Sequence, residues 1–138
     1  MKKPSKKENS LRFLKKKVWE VFSQYIRLKE ADSNGIVKCY TCGQPLYWKE
    51  AQAGHGLGGR SNLILFDEEI VKPQCKRCNI FLGGNYDVFH EKLIEENGLE
   101  WFKNKIKIKY QPKQFTVQEL QDLYRKYFEK CNQLLSKF

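Results

Sequence analysis

Along the first quarter of the chain Leu11, Leu14, Val18, Val21, Tyr25 and Leu28 recur at alternating spacings of three and four, the period of one helix face. Ser10 is placed to cap this helix and Asn34-Gly35 to end it, which predicts an N-terminal helix within 10–35 behind a flexible basic tail over 1–9. Ile36-Val37-Lys38 then reads as a short strand, and Leu46 to His55 as a longer one that pairs with Ile64 to Phe66 across a glycine-rich turn. Further on, Tyr86, Phe89, Leu93 and Ile94 regain helical spacing and stop at Asn97-Gly98. Leu99, Phe102 and Ile106 fit another helix, although Ile106 to Lys109 alternates as a strand would. Thr116-x-x-Glu119 is a capping box that opens a last helix, whose apolar face holds Val117, Leu120, Tyr124, Tyr127, Cys131 and Leu134. That helix is expected to pack on the first. The class is α+β, with a compact core over 36–98 and a helical extension over 99–138.

Charge changes this picture by being uneven. The net charge of the 138-residue chain is +10, but residues 1–29 carry +8, residues 99–138 carry +5 and the middle carries −3. Basic flanks around a mildly acidic centre suit arms that grip a phosphate backbone, though lysines on ordinary helices also serve as a solvated face. Arg12, Lys15, Lys16 and Lys17 on the first helix, with Arg60, Lys76 and Arg77, are the candidate DNA-binding residues. No apolar run approaches the roughly 20 residues of a membrane span, and no apolar stretch follows the lysine-rich N-terminus as in a signal peptide. The expectation is an intracellular, cytoplasmic protein with no membrane partner.

The chemistry lies in two cysteine pairs, Cys39-Tyr40-Thr41-Cys42 and Cys75-Lys76-Arg77-Cys78. Each spacing lets one tight turn aim two thiolates at a single ion, and two such turns complete a tetrahedron, so a structural Zn²⁺ is expected. Cys131 stands apart on a helix face, where it fits as a small core hydrophobe. Gly43 to Gln74 is longer than the spacer of a plain zinc ribbon and contains His55 between glycines. Something else folds inside it.

Strand, histidine, strand, cysteine turn and then an asparagine resembles the ββα-metal core of the HNH (His-Me finger) nucleases, a treble-clef-like fold, in its zinc-braced version. Gln52-Ala53-Gly54-His55, Phe66-Asp67-Glu68, Pro73-Gln74-Cys75, Cys78-Asn79 and Gly84-Asn85 are similar, more closely, to the NinG (Rap) family of phage recombination proteins. The openings Val18 to Ser23 and Tyr25 to Leu28, with Cys39 to Gly43, extend that similarity over about Val18 to Gly98. The Cys-x-x-Cys-Asn ending also resembles phage resolvases of the endonuclease VII type.

The resemblance implies a phage-encoded endonuclease acting in recombination on branched DNA such as Holliday junctions, with a two-fold homodimer suited to symmetric incision. His55 would be the general base, since an imidazole with a pKa of about 6.5 can take a proton from water at neutral pH. Asn79 would ligate a catalytic Mg²⁺ or Mn²⁺, unless it merely caps a helix. His90 reads as structural. Two positions depart from the pattern: Gly54 stands where many HNH enzymes have an acid, and Ile70 where the middle asparagine belongs. Asp67, Glu68 or Asn85 would then supply the missing oxygen ligand, or His55 itself would bind the ion. The alternative function is a catalytically impaired, zinc-dependent DNA-binding module, and an asparagine restored at position 70 is expected to raise activity if the chain is a weakened enzyme.

Overall fold

A computed structural model describes residues 6–59 and 61–138. Residues 1–5 of the expected tail, and Arg60, lie outside the described residues. Helix α1 runs Lys6–Lys29, so Ser10 lies inside it rather than at its cap. Lys6, Lys7 and Glu8 are good helix formers with no breaker among them, and the helix continues back through them. Helix α5, Val117–Leu135, opens with the capping box: Thr116 Oγ1 accepts the Glu119 N–H and the Glu119 carboxylate accepts the Thr116 N–H. The two helices pack along each other, as their apolar faces require. Phe22 and Tyr127 meet edge to face at 5.0 Å between ring centroids, and Val21, Ile26 and Val71 close round them.

Val71 belongs to the hairpin that this helix pair covers. Strands β1 (Ile36–Lys38) and β2 (Pro45–Tyr47) form one antiparallel pair, with Val37 opposite Leu46. Strands β3 (Gln52–His55) and β4 (Val71–Gln74) form the second, with Gln52 opposite Gln74 and His55 opposite Val71. The single strand expected from Leu46 to His55 is thus two strands. Between them the Ala51 N–H turns back to the Tyr47 and Trp48 carbonyls and Trp48 is buried.

Ile64 to Phe66 is not the partner strand either. Asn62–Leu65 forms the short helix α2. Ile64 and Leu65 are both buried, whereas neighbours in a strand point to opposite faces, so a helical turn is what hides the two together.

Helices α3 (Tyr86–Asn97) and α4 (Leu99–Lys109) complete the fold. The strand-like alternation at Ile106 to Lys109 is therefore helical. Leu57, Ile64, Ile70, Phe89, Leu93 and Phe102 make a second apolar layer. Ile70 is wholly buried in it, so an asparagine there would give up apolar packing and take an amide out of water.

Candidate functional site

Each cysteine pair sits in a turn next to a hairpin end. Cys39 follows β1, and its N–H bonds the Gln44 carbonyl while its own carbonyl accepts the Gly43 N–H. Cys75 follows β4, and its sulfur accepts the Cys78 N–H. The hairpins are joined through Tyr40, whose N–H donates to the Pro73 carbonyl at 2.8 Å. These bonds bring the sulfurs of Cys39, Cys42, Cys75 and Cys78 within 4.8 Å of one another.

The donor set fits a tetrahedral ion such as zinc. Four thiolates about 2.3 Å from a common centre stand about 3.8 Å apart, and Cys42 Sγ lies 3.8 Å from Cys75 Sγ. Burial pushes the Cys39 thiol up, but the Thr41 hydroxyl and backbone amides of the turns outweigh it and bring this group down to about 6. Burial also pushes Cys42 up, to about 12, and the three neighbouring sulfurs add to that shift; Cys75 rises as well, burial again leading. Four converging thiols cannot all ionise together without a cation. Among the described residues this is the one cluster of three or more His, Cys, Asp or Glu that could hold a metal.

Gln74 supports the cluster, a role that no local pattern assigns. Its side chain is fully buried; Nε2 donates to Thr41 Oγ1 at 3.0 Å and to the Gly84 carbonyl at 2.9 Å, tying the first cysteine turn to the chain beyond the second. Because a carbonyl only accepts, the amide is oriented, and its Oε1 faces Gly54 without a hydrogen-bond partner. A Cβ on residue 54 would overlap that oxygen. Gly54 is therefore glycine because Gln74 fills its side-chain space. The one signal in the sequence is a polar residue just before Cys75.

His55 ends β3, half-buried. Its Nε2–H donates to the Ile64 carbonyl at 2.7 Å, and its Nδ1 accepts the Leu57 N–H at 3.2 Å. Helix α2, unseen in the sequence, is thus what orients the imidazole. The next residue, Leu65, lines a groove of about 590 Å³ with Trp19, Arg12, Lys15 and Lys16. Lys17 leaves that row; its ammonium lies over the Phe13 and Tyr124 rings.

Asn79 is found elsewhere. It lies within a wide helical turn, Arg77–Phe81, and α3 begins only at Tyr86, so Asn79 does not start that helix. Its Nδ2 donates to Gln52 Oε1 at 2.8 Å, at the other end of β3 from His55. Three residue steps of strand, about 10 Å, lie between Gln52 and His55, and alternation turns their side chains to opposite faces. Asn79 is thus bonded to Gln52, and His55 to the Ile64 carbonyl and the Leu57 N–H.

The remaining candidate ligands are engaged with protein. Asp67 Oδ2 takes Lys105 Nζ at 2.7 Å while its Oδ1 accepts the Glu69 N–H. Glu68 accepts the Tyr127 hydroxyl at 2.9 Å and faces Lys29 and Lys130. Asn85 donates from Nδ2 to Cys78 Sγ at 3.7 Å. His90 Nε2 bonds the Gly56 carbonyl at 2.8 Å and its ring stacks on Tyr86, a structural place. Lys76 and Arg77 are exposed on the second cysteine turn, and Cys131 is buried beside Val37 and Trp48.

A family model described as "Bacteriophage Lambda NinG protein" matches residues 1–137. The chain belongs to the NinG family. The match spans nearly the whole of this NinG chain and connects it with phage recombination. Neither the curated proteins nor the solved structures give a match. No helix among the described residues is long and apolar enough to cross a membrane.

Proposed function

We propose that this NinG-family chain is a metal-dependent endonuclease that cuts branched DNA, four-way junctions among its substrates, in phage recombination. The observation that carries the reading is the held imidazole of His55. Donation from Nε2–H to the Ile64 carbonyl puts the lone pair on Nδ1, where it accepts the Leu57 N–H at 3.2 Å; a water that displaces this bond would meet the form a general base needs. Beside α2 the Arg12, Lys15 and Lys16 groove supplies cations for the strand whose phosphate would be attacked.

The described residues hold no carboxylate cage for Mg²⁺ or Mn²⁺, and Asp67 and Glu68 are committed to ion pairs. Asn79 fits as one oxygen ligand, because donation by its Nδ2 to Gln52 leaves the amide oxygen as the side able to face a cation. Mg²⁺ commonly takes few protein ligands and completes its shell with water and substrate phosphates. Such an ion, when bound, would neutralise charge developing at the phosphate. The chain's own steps are to grip the backbone through the basic groove, hold His55 in one tautomer and accept a proton from water at Nδ1 once that water has displaced the Leu57 N–H.

The second reading, a zinc-braced DNA-binding module without nuclease activity, is favoured by Gln74 filling the place of an acid at position 54. One experiment separates them. Purified protein is incubated with end-labelled linear, flap and four-way DNA, with and without Mg²⁺ or Mn²⁺. Cutting of branched forms that falls roughly 10²- to 10⁴-fold in His55→Ala, with zinc content and DNA binding retained, supports the enzyme. No cutting in either metal leaves the binding module, and equal cutting by His55→Ala overturns His55 as the base.

A further inference from the structure

The second cysteine turn leads into three apolar residues that the fold does not use. Ile80, Phe81 and Leu82 are 53%, 74% and 45% exposed, consecutive at the outer end of the Arg77–Phe81 turn. A run of large apolar side chains held in water needs a partner.

This ridge is built. The Leu82 N–H closes on the Arg77 carbonyl at 2.8 Å, Gly83 on Ile80 at 3.1 Å and Gly84 on Cys78 at 2.9 Å. Gln74 then takes the Gly84 carbonyl from inside. Gly83, Gly84 and Asn85 all have positive φ (61°, 102° and 50°), a run of left-handed backbone that only glycine and asparagine enter readily. The backbone behind Phe81 is therefore fixed by the cysteine cluster, and the ring projects from a rigid base. Wide turns of this π type occur often at functional sites.

Its chemistry selects the partner. Lys76 and Arg77 are exposed at the foot of the ridge, and Lys76 Nζ lies 5.9 Å from the centroid of the Phe81 ring. An aromatic face with cations beside it matches a nucleobase with its phosphates, since every base offers a π face on which an aromatic side chain can stack. A second copy of the chain pressed symmetrically on this ridge would instead bring Lys76 and Arg77 against their own kind. In continuous duplex the base faces are covered by stacking; they open where strands separate or exchange. Apolar side chains wedged at such steps are a known way to hold unstacked DNA.

We infer that Phe81, flanked by Ile80 and Leu82 and backed by Lys76 and Arg77, is a wedge that stacks on unpaired or unstacked bases at a DNA branch point, and so determines specificity. This rests on the reading of the chain as acting on branched DNA, but not on its being a nuclease.

The test uses full-length, zinc-loaded protein with Ca²⁺ in place of Mg²⁺, so that DNA stays intact. A 2-aminopurine is placed at the centre of a four-way junction and at the matching position of a linear duplex. The wild type should raise the fluorescence of the junction probe and leave the linear one unchanged. Phe81→Ala should abolish the rise and weaken junction binding about 5- to 100-fold, as loss of one base–aromatic stack does. Zinc content, melting temperature and linear-duplex affinity should stay as in the wild type. Phe81→Trp should keep the preference and show quenching of the new indole by the junction.

Phe81→Ala that keeps both the signal and the junction-to-linear ratio overturns the wedge, and so does a wild type that binds both DNA forms equally. A Phe81→Ala variant that only shifts sedimentation from dimer to monomer overturns it too, and assigns the ridge to a protein interface. The two proposals fail separately. Junction cutting with no Phe81 effect removes the wedge and keeps the nuclease; a Phe81-dependent preference in a protein that never cuts keeps the wedge and removes the nuclease.

Discussion

The two ends of strand β3 are held by different forces. At the Gln52 end, side chains are fixed by sulfur, amide and backbone hydrogen bonds: the four thiols, Gln74 on Thr41, Asn79 on Gln52. At the His55 end they are fixed by apolar packing, with Ile64 and Ile70 buried among Phe89, Leu93 and Phe102, and one backbone carbonyl aims the imidazole. Polar fixation of the first kind depends on matched partners and on the ion that the four thiols could hold. Packing of the second kind depends on volume and dryness. The fold therefore has two supports of different kind around one strand.

The largest effect is expected where the ion is removed. Binding of zinc to four thiolates contributes about 10–16 kcal/mol, as much as the whole stability of an ordinary domain. Cys75→Ala, or a strong chelator, should leave residues 36–85 without ordered structure, read by loss of amide dispersion in NMR spectra, while α1 and α5 keep part of their helical signal. Metal analysis should find about one zinc per wild-type chain. Folded protein without metal would show that the Gln52 end is held by its hydrogen bonds alone.

At the other end Ile70→Asn should cost about 3–5 kcal/mol, from lost apolar burial and an unpaired buried amide. Ile70→Val, which trims one methyl, should cost about 1 kcal/mol. Denaturant melts of the two variants measure the difference. A cost below 1 kcal/mol for the asparagine would mean that this layer admits water. Nuclease activity is not expected to rise in Ile70→Asn, because the position faces the core rather than a substrate.

The same contrast explains what the sequence made legible. Cysteine spacing is local, and a four-residue turn determines where its sulfurs go whatever surrounds it; the amphipathic helices and the Thr116 box are local in the same sense. Helix α2 is not. Ile64 to Phe66 reads as a strand from its own residues, and only the tertiary packing that buries both Ile64, in the Phe89 and Leu93 layer, and its neighbour Leu65 makes it a helical turn. Asn79 follows the last cysteine of the cluster, the place the pattern gives to a helix start, but it lies inside a wide turn that two glycines follow before α3 begins. The role of Gln74 is hidden for a related reason: its partners, Thr41 and Gly84, lie 33 and 10 residues away.

Between the two ends lies Gly54, where a smaller effect is expected. Gly54→Ala places a methyl on Gln74 Oε1 and should cost about 1–3 kcal/mol as an overpacked site. Gln74→Ala should also destabilise, by releasing Thr41 and the Gly84 carbonyl. Combined, the two changes should cost less than their sum, because the methyl then enters vacated space. Strict additivity in a double-mutant cycle would separate Gly54 from Gln74 and reopen position 54 to an acid.

The smallest effect belongs to Glu68, outside both supports, where helices α1 and α5 meet. Burial pushes its carboxyl up, but the Tyr127 hydroxyl and the Lys130 and Lys29 ammonium groups outweigh this and hold it below the usual carboxylate range. A folded-state pKa below the unfolded value contributes stability that is fully present above the unfolded value of about 4.3, and that is lost as pH falls through the folded one. Glu68→Gln should therefore cost less than about 1 kcal/mol at pH 7, in keeping with a partly exposed, screened ion pair. The gap from wild type should persist down to about pH 5 and close below it. The comparison is made by thermal melts of both proteins from pH 7 to pH 3. A gap unchanged by acid would mean that Tyr127 holds Glu68 as a neutral hydrogen-bond partner, and that the two lysines contribute nothing to the α1–α5 seam.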